Sequence, residues 1–271
     1  MYFFDSHAHV NSARYGGPAA RRIRLHKAVE AGVCAILVPA TQPVDAYAFY
    51  MHFQSMRPQF PGLELHVTTG IHPFTLENTD PGADDAALEA VQRELEQRPD
   101  VYCAVGECGL DFGRPIDRDR QIRVFEAQIA LAAARRLPLV IHCVKAHHVV
   151  LELLSRHDVV PSVIHGWAAS AEVGARYWTQ GHLLGFGGAL TLPNVRRALD
   201  AARAVPAEHM LIETDSPDQT PWARRPALNE PAFVRDVAQA LAAARGATVE
   251  AIAEQTARNA RRVFGVEAST A

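Results

Sequence analysis

Eight short apolar runs, each followed by a longer stretch of mixed polarity, set the strongest limit on how this chain can fold. The runs are YFFDSHAH (2–9), CAILVPA (34–40), ELHVTTGIH (64–72), YCAVGECGL (102–110), LPLVIHC (137–143), SVIHGW (162–167), LLGFGG (183–188) and MLIETDS (210–216). They are rich in β-branched and aromatic residues without clean alternation, which is how parallel strands covered on both faces read. The stretches between them carry apolar residues at three- and four-residue spacing, the period of an amphipathic helix. That spacing predicts helices over 85–98, 120–136, 193–205, 231–246 and 249–265. Strands alternating with crossover helices pair in parallel, and eight such units predict an α/β fold, a (β/α)8 barrel of TIM type. The last helical pattern is then an additional C-terminal helix. A length of 271 residues suits one barrel domain over 1–271 and leaves little room for a second.

An open sheet of the dinucleotide-binding kind fits less well, because no Gly-x-Gly-x-x-Gly opens the first helix. Gly185, Gly187 and Gly188 lack that spacing and read instead as a tight strand end beside a site. No internal repeat or linker breaks the chain, and the closing EASTA (267–271) reads as frayed. The start has no basic segment followed by a long apolar one, and no run approaches eighteen apolar residues. Neither a secretory signal nor a membrane span is therefore expected, and a cytoplasmic protein is. Cys34, Cys103, Cys108 and Cys143 form no Cys-x-x-Cys pair and read as free thiols. Lys plus Arg total 27 against 30 Asp plus Glu, a formal charge of −3, which argues against a broad basic surface that coats DNA.

Thirteen histidines are many for this length, and their placement is informative. Active sites of β/α barrels lie at the C-terminal ends of the strands. His7, His9, His72, His142 and His165 all fall late in predicted strands, as do Glu107 and Asp215. His7 and His9 are two apart, so on a strand both side chains share one face, with Asp5 a step deeper. Four imidazoles (His7, His9, His142, His165) and two carboxylates aimed at one cavity would be costly to desolvate without a cation. Six nitrogen and oxygen ligands suit a pair of divalent ions about 3.5–4 Å apart. A ligand set without cysteine admits Mg, Mn or Zn, and iron.

FDSHAH, GIHP, GECGLDF, VIHC, VIHGW and ETDSP, in this order, resemble the TatD family of metal-dependent hydrolases in the amidohydrolase superfamily. RRPALNEPAFVRDVA (224–238) and TARNARRVFG (256–265) resemble that family's C-terminal helices. The resemblance implies a β/α barrel and deoxyribonuclease activity, with attack from a 3′ end of DNA or of a nucleotide-like substrate. It implies that His7, His9 and Asp215 hold one metal, that His142 and His165 hold the second, and that Glu107 bridges them. It implies that His72 faces the substrate and that Asp5, Asp111 and Glu213 support the ligands from the interior. A hydroxide on a metal would be the nucleophile, with Asp215 as general base. Hydrolysis of an ester or amide, such as an aminoacyl-nucleotide ester, is the alternative for the same ligands. A non-catalytic metal-bearing partner protein is the third reading, opposed by six intact ligand positions. No obligatory protein partner is evident.

Two positions depart from the family pattern. Val144 stands where an arginine is common, with Lys145 as a nearby cation, and Ala168-Ala169 replaces a small hydroxyl and a glycine. Trp167 is left either to stack a base or to cap the barrel mouth. The basic segment RRIRLHK (21–27), Arg135-Arg136 and Arg224-Arg225 read as solvated helix faces or loops. His147 and His148 start a helix and are not expected as ligands. His26, His52, His66, His157, His182 and His209 lie away from the strand ends and are given no role.

Overall fold

A computed structural model describes residues 2–267; the expected fraying of the closing segment lies, from residue 268 on, outside the described residues. Eight parallel strands form one sheet in sequential order: β1 (Phe3–Asp5), β2 (Val33–Val38), β3 (Glu64–Thr69), β4 (Tyr102–Asp111), β5 (Leu139–Val144), β6 (Val163–Ile164), β7 (Leu183–Phe186) and β8 (Met210–Ile212). The helices are α1 (Pro18–Glu30), α2 (Asp45–Met56), α3 (Asp84–Gln97), α4 (Arg118–Arg135), α5 (His147–Ser155), α6 (Ala171–Trp178), α7 (Arg196–Ala204), α8 (Val234–Arg245) and α9 (Val249–Phe264). All five predicted helices are present within a few residues of their expected bounds. Several strands are shorter than their apolar runs, so that His7, His9, His72, His165 and Asp215 lie just past the last paired residue.

The sheet curls until its first and last strands meet. Ser6 N donates to Ile212 O at 3.1 Å, and Ala8 forms a single bridge with Ser216. Asp5, wholly buried, accepts from the Thr214 amide at 2.9 Å and the Thr214 hydroxyl at 2.7 Å. Inside the barrel, alternate strand residues Phe4, Leu37, Val140, Leu183 and Leu211 form one apolar cluster. Phe264 of α9 closes that cluster from the N-terminal end, its ring 6.2 Å from that of Phe4. Asn259 ties α9 in place by donating to the carbonyls of Ala207 and Met210 at 2.7 and 2.8 Å. The larger apolar cluster lies between the strands and the helices around them. The apolar interior is thus closed at the N-terminal end by α9, and the strand ends opposite carry the histidines and carboxylates singled out above.

The glycines of β7 serve that polar end. A Cβ on Gly185 would stand 2.1 Å from Oε2 of Glu213, a carboxylate that is fully buried. The absent side chain is the space that Glu213 occupies, as the reading of a tight strand end beside a site anticipates. Gly185→Ala is expected to lower unfolding stability by about 1–3 kcal/mol through overpacking. A urea melt that matches the wild type would show that Glu213 moves aside without cost.

Candidate metal centre

Each side chain at the C-terminal end is delivered by a specific backbone feature. His7 and His9 follow β1 in alternating register; the His7 carbonyl accepts from the Asp215 amide, and the His9 amide donates to Ser216 O, both at 2.8 Å. These two bonds fix the first and last strand ends against each other. Glu107 sits at an irregularity in β4, where Gly106 pairs with Val140 but Cys108 pairs with Ile141. Two residues of β4 therefore oppose one step of β5, and such an extra residue re-aims its side chain. The Glu107 amide turns to Ala40 O at 2.8 Å, and its side chain, 1% exposed, points to the barrel axis. Asp215 has φ of 54°, a left-handed conformation that Asp tolerates better than most residues. Its Oδ2 accepts from Gln219 Nε2 at 2.7 Å, which leaves Oδ1 facing the histidines.

The two oxygens of Glu107 face two sets of nitrogens. Around Oε2, His7 Nε2 stands at 3.1 Å and His9 Nε2 at 3.2 Å, with 3.3 Å between the two nitrogens. Asp215 Oδ1 is 3.6 Å from His7 Nε2 and 3.7 Å from His9 Nε2. Ligands at about 2.1 Å from a tetrahedral ion lie roughly 3.4 Å apart, so the spacings among His7 Nε2, His9 Nε2 and Glu107 Oε2 suit a shared ion, with Asp215 Oδ1 a little farther from both rings. Around Oε1, His165 Nε2 stands at 2.8 Å and His142 Nδ1 at 3.2 Å, again 3.2 Å from each other. Oε1 is buried and accepts no hydrogen bond of acceptable angle despite these neighbours. A buried carboxylate oxygen ringed by nitrogen lone pairs calls for a cation. Burial alone would raise the Glu107 carboxyl, but the charges of His72, His165 and His7 and a bond from His142 hold it well below the usual range.

The ring nitrogens that face away from the centre meet carboxylates. His142 Nε2 lies 3.3 Å from Asp111 Oδ2, and His165 Nδ1 lies 3.5 Å from Glu213 Oε1. Such partners fix the tautomer that leaves the inward nitrogen free to bind a metal. His72 differs. Its Nε2 is 2.8 Å from Glu107 Oε1, close enough for a ligand, yet its Nδ1 accepts from the Phe74 amide at 2.9 Å. A neutral imidazole that accepts at Nδ1 carries its proton at Nε2, so His72 presents a donor to the cavity. Burial, against the pull of Glu107, lowers the His72 pKa to about 4, so the ring is neutral near pH 7. The same ring also belongs, with Glu107 and His142, to a cluster of close ligand-type atoms.

A cavity of about 800 Å³ opens over these residues and is walled on one side by α1, α2 and the loop between β1 and α1. Here the structure corrects several sequence expectations. Arg21 and His52, expected on solvated faces or without a role, both line the cavity. Arg14 and Arg114 line it too, whereas Lys145 is exposed and outside it. Trp167 is 1% exposed, packed near His147 and Tyr177 with ring centroids 5.3 and 5.9 Å away, so no base can stack on it. His147 begins α5 and joins that packing, with Cys143 Sγ 3.2 Å from its Nδ1. Gln219 escaped notice because a lone glutamine in a loop carries no pattern; only the turn after β8 brings it to Asp215.

A family model described as TatD related DNase matches residues 4–265. The chain belongs to that family. It is 30% identical over 266 residues to the uncharacterized metal-dependent hydrolase YjjV of Escherichia coli (strain K12), which covers 97% of this chain and 98% of the relative. It is also 30% identical over 273 residues to the 3'-5' ssDNA/RNA exonuclease TatD of Erwinia amylovora, covering 97% and 100%. The crystal structure of the Escherichia coli YjjV protein superposes with a TM-score of 0.86 over 98% of both chains. An amidohydrolase structure from Saccharomyces cerevisiae, 16% identical, shares the fold with a TM-score of 0.83. This chain is thus a metal-dependent hydrolase of the TatD family on a TIM-type barrel, with His/Glu clusters suited to metal at the C-terminal end.

Asp111 tests how the outer contacts tune the centre. Asp111→Asn keeps an acceptor for the Gly113 amide, which Oδ1 now receives at 2.9 Å, but removes the charge beside His142. Metal affinity is expected to fall by about 10–100-fold in competition titrations with a chromophoric chelator. An unchanged affinity would detach Asp111 from the metal centre.

Proposed function

We propose that this chain hydrolyses phosphodiester bonds of DNA from a 3′ end. In this reading His7, His9, Glu107 and Asp215 hold one divalent ion, and Glu107, His142 and His165 hold a second. The observation that carries it is Glu107, whose two buried oxygens face two separate nitrogen sets at 2.8–3.2 Å. Mg, Mn and Zn all suit imidazole with carboxylate and no thiolate. The names of relatives support a nucleic-acid substrate, since the Erwinia protein is called an ssDNA/RNA exonuclease.

Divalent ions in this position supply Lewis acidity toward water and toward the phosphoryl oxygens. Asp215 supplies the proton transfer. Gln219 anchors its Oδ2, so Oδ1 stays at the centre, where it takes a proton from the attacking water and returns it to the leaving 3′ oxygen. His72, whose Nε2 stands 2.8 Å from Glu107 Oε1, lines the same cavity and would offer that N–H to a non-bridging phosphoryl oxygen once Glu107 is engaged by metal. Arg114 lies at the same mouth, but its pairs with Glu77 at 2.7 Å and Asp111 at 3.4 Å already take up its charge. The cytoplasm suits the four free cysteines, and no helix among the described residues is long and apolar enough to cross a membrane.

A metal-by-substrate screen tests this reading. Release of mononucleotides from 3′-labelled single-stranded DNA should require a divalent ion and vanish with chelator or in Glu107→Ala. Asp215→Asn should cut kcat by about 10²–10⁴-fold with the fold intact, as loss of a general base does. Near-normal turnover by metal-loaded Asp215→Asn would remove it from that role. Turnover of esters without cleavage of DNA would replace the nuclease by the ester reading.

A further inference from the structure

The metal centre engages one phosphoryl group, but the cavity continues along the wall built from α1, α2 and the loop between β1 and α1. Three arginines reach this cavity. Two are already neutralised by neighbours. Arg14 is paired with Asp218 at 2.6 Å, and Arg114 with Glu77 at 2.7 Å and Asp111 at 3.4 Å. Arg21 has no ion pair among the described residues, and its Nε is buried with no hydrogen-bond partner. A guanidinium nitrogen removed from water and left without an acceptor is unfavourable unless a ligand supplies one. Its neighbour Arg22 is exposed and lies outside the cavity, while Arg24 rests on the Tyr15 ring with its centre 4.5 Å away.

A second orphan lies on the same wall. Asp45 uses Oδ2 to accept from the Thr41 amide and hydroxyl at 3.0 and 2.6 Å, but its Oδ1 is buried without a partner. That oxygen suits a ligand hydroxyl or amine and repels a phosphate. Phe49 adds an apolar surface between the two helices. The wall therefore offers an anion site, a hydrogen-bond acceptor and an apolar face, which together match a nucleoside that carries a phosphate beyond the one at the metals.

We propose that Arg21 binds the phosphate adjacent to the scissile one, so that the preferred ligand is a nucleoside with phosphates on both its 3′ and 5′ sides, with Asp45 accepting from the nucleoside between them. This deepens the phosphodiesterase reading and rests on it for the phosphate at the metals. Arg21 is a specificity residue and takes no part in proton transfer.

Calorimetry on the metal-loaded full chain measures this without turnover, using a nucleoside 3′,5′-bisphosphate and the matching 3′-monophosphate, which lacks the phosphate assigned to Arg21, as probes. The wild type should prefer the bisphosphate by about tenfold, the worth of one charge-assisted contact. Arg21→Ala should reduce that preference to about twofold or less, while Arg22→Ala, with the same loss of net charge, should retain it. An unaltered preference in Arg21→Ala, an equal loss in Arg22→Ala, or no preference in the wild type would each overturn the assignment. Absence of diester cleavage with every metal, beside an Arg21-dependent preference, would sink the phosphodiesterase reading alone. Cleavage of DNA without the Arg21 effect would sink only this inference.

Discussion

A single carboxylate taken wholly out of water organises the functional end of this barrel. Glu107 is 1% exposed, and isolated ionised groups at such depth are too costly to persist without compensation. Here the compensation comes from His7 and His9 on one oxygen and His142 and His165 on the other, with His72 close by. Those rings come from β1, β3, β5 and β6, so they meet only if the sheet curls fully around the axis. The bonds that join Asp5 to Thr214 and His7 to Asp215 thus do more than seal a seam. They set where the first two histidines and the last carboxylate stand relative to Glu107.

The polar end has a layered construction that follows from the same requirement. Imidazoles that face a cation with one nitrogen need a partner for the other, and Asp111 and Glu213 lie beside His142 and His165. Those carboxylates are themselves buried and need donors or space. Glu213 accepts from the Gly166 amide at 2.5 Å and fills the volume left by Gly185. Asp5, deeper still, has its carboxyl pushed up to about 8 by burial, despite bonds from Thr214 and His7. Asp5 is thus held mostly neutral near pH 7, while Phe4, its neighbour on β1, packs with Phe264 in the apolar cluster inside the barrel.

Much of this was legible in the sequence, for a physical reason. A parallel strand ends at the same rim as its neighbours, so a histidine late in an apolar run is placed by topology alone. That logic locates His7, His9, His142 and His165 without knowledge of any side-chain contact. It also overstates strand length, because the runs continue past the last ladder bond: β6 pairs only at Val163 and Ile164, and His165 follows as the chain turns away. What helices bring to the mouth was not legible. Arg21 and His52 sit in patterns typical of solvated faces, and only the placement of α1 and α2 beside the cavity brings them to its wall, His52 remaining exposed. Trp167 misled in the opposite sense: its position near a rim histidine suggests a site, but a side chain that follows the turn at Gly166 is carried out among the helices.

Net charge acquires a different meaning once the cations at the mouth are sorted. A formal charge of −3 argues against a protein that gathers DNA by a broad positive surface. Arg14 and Arg114 do not reverse this, since each already faces a carboxylate within 2.7 Å. In the phosphodiesterase reading, attraction for the substrate resides within the cavity, where Arg21 Nε is buried without a partner. Short-range attraction of this kind is felt by a chain end that enters the cavity and hardly at all by a duplex lying across the surface, because surface fields are screened over about 8–10 Å at ordinary salt. A mildly acidic exterior is therefore compatible with the proposed phosphodiesterase, in which short-range attraction within the cavity would favour a strand end over its middle.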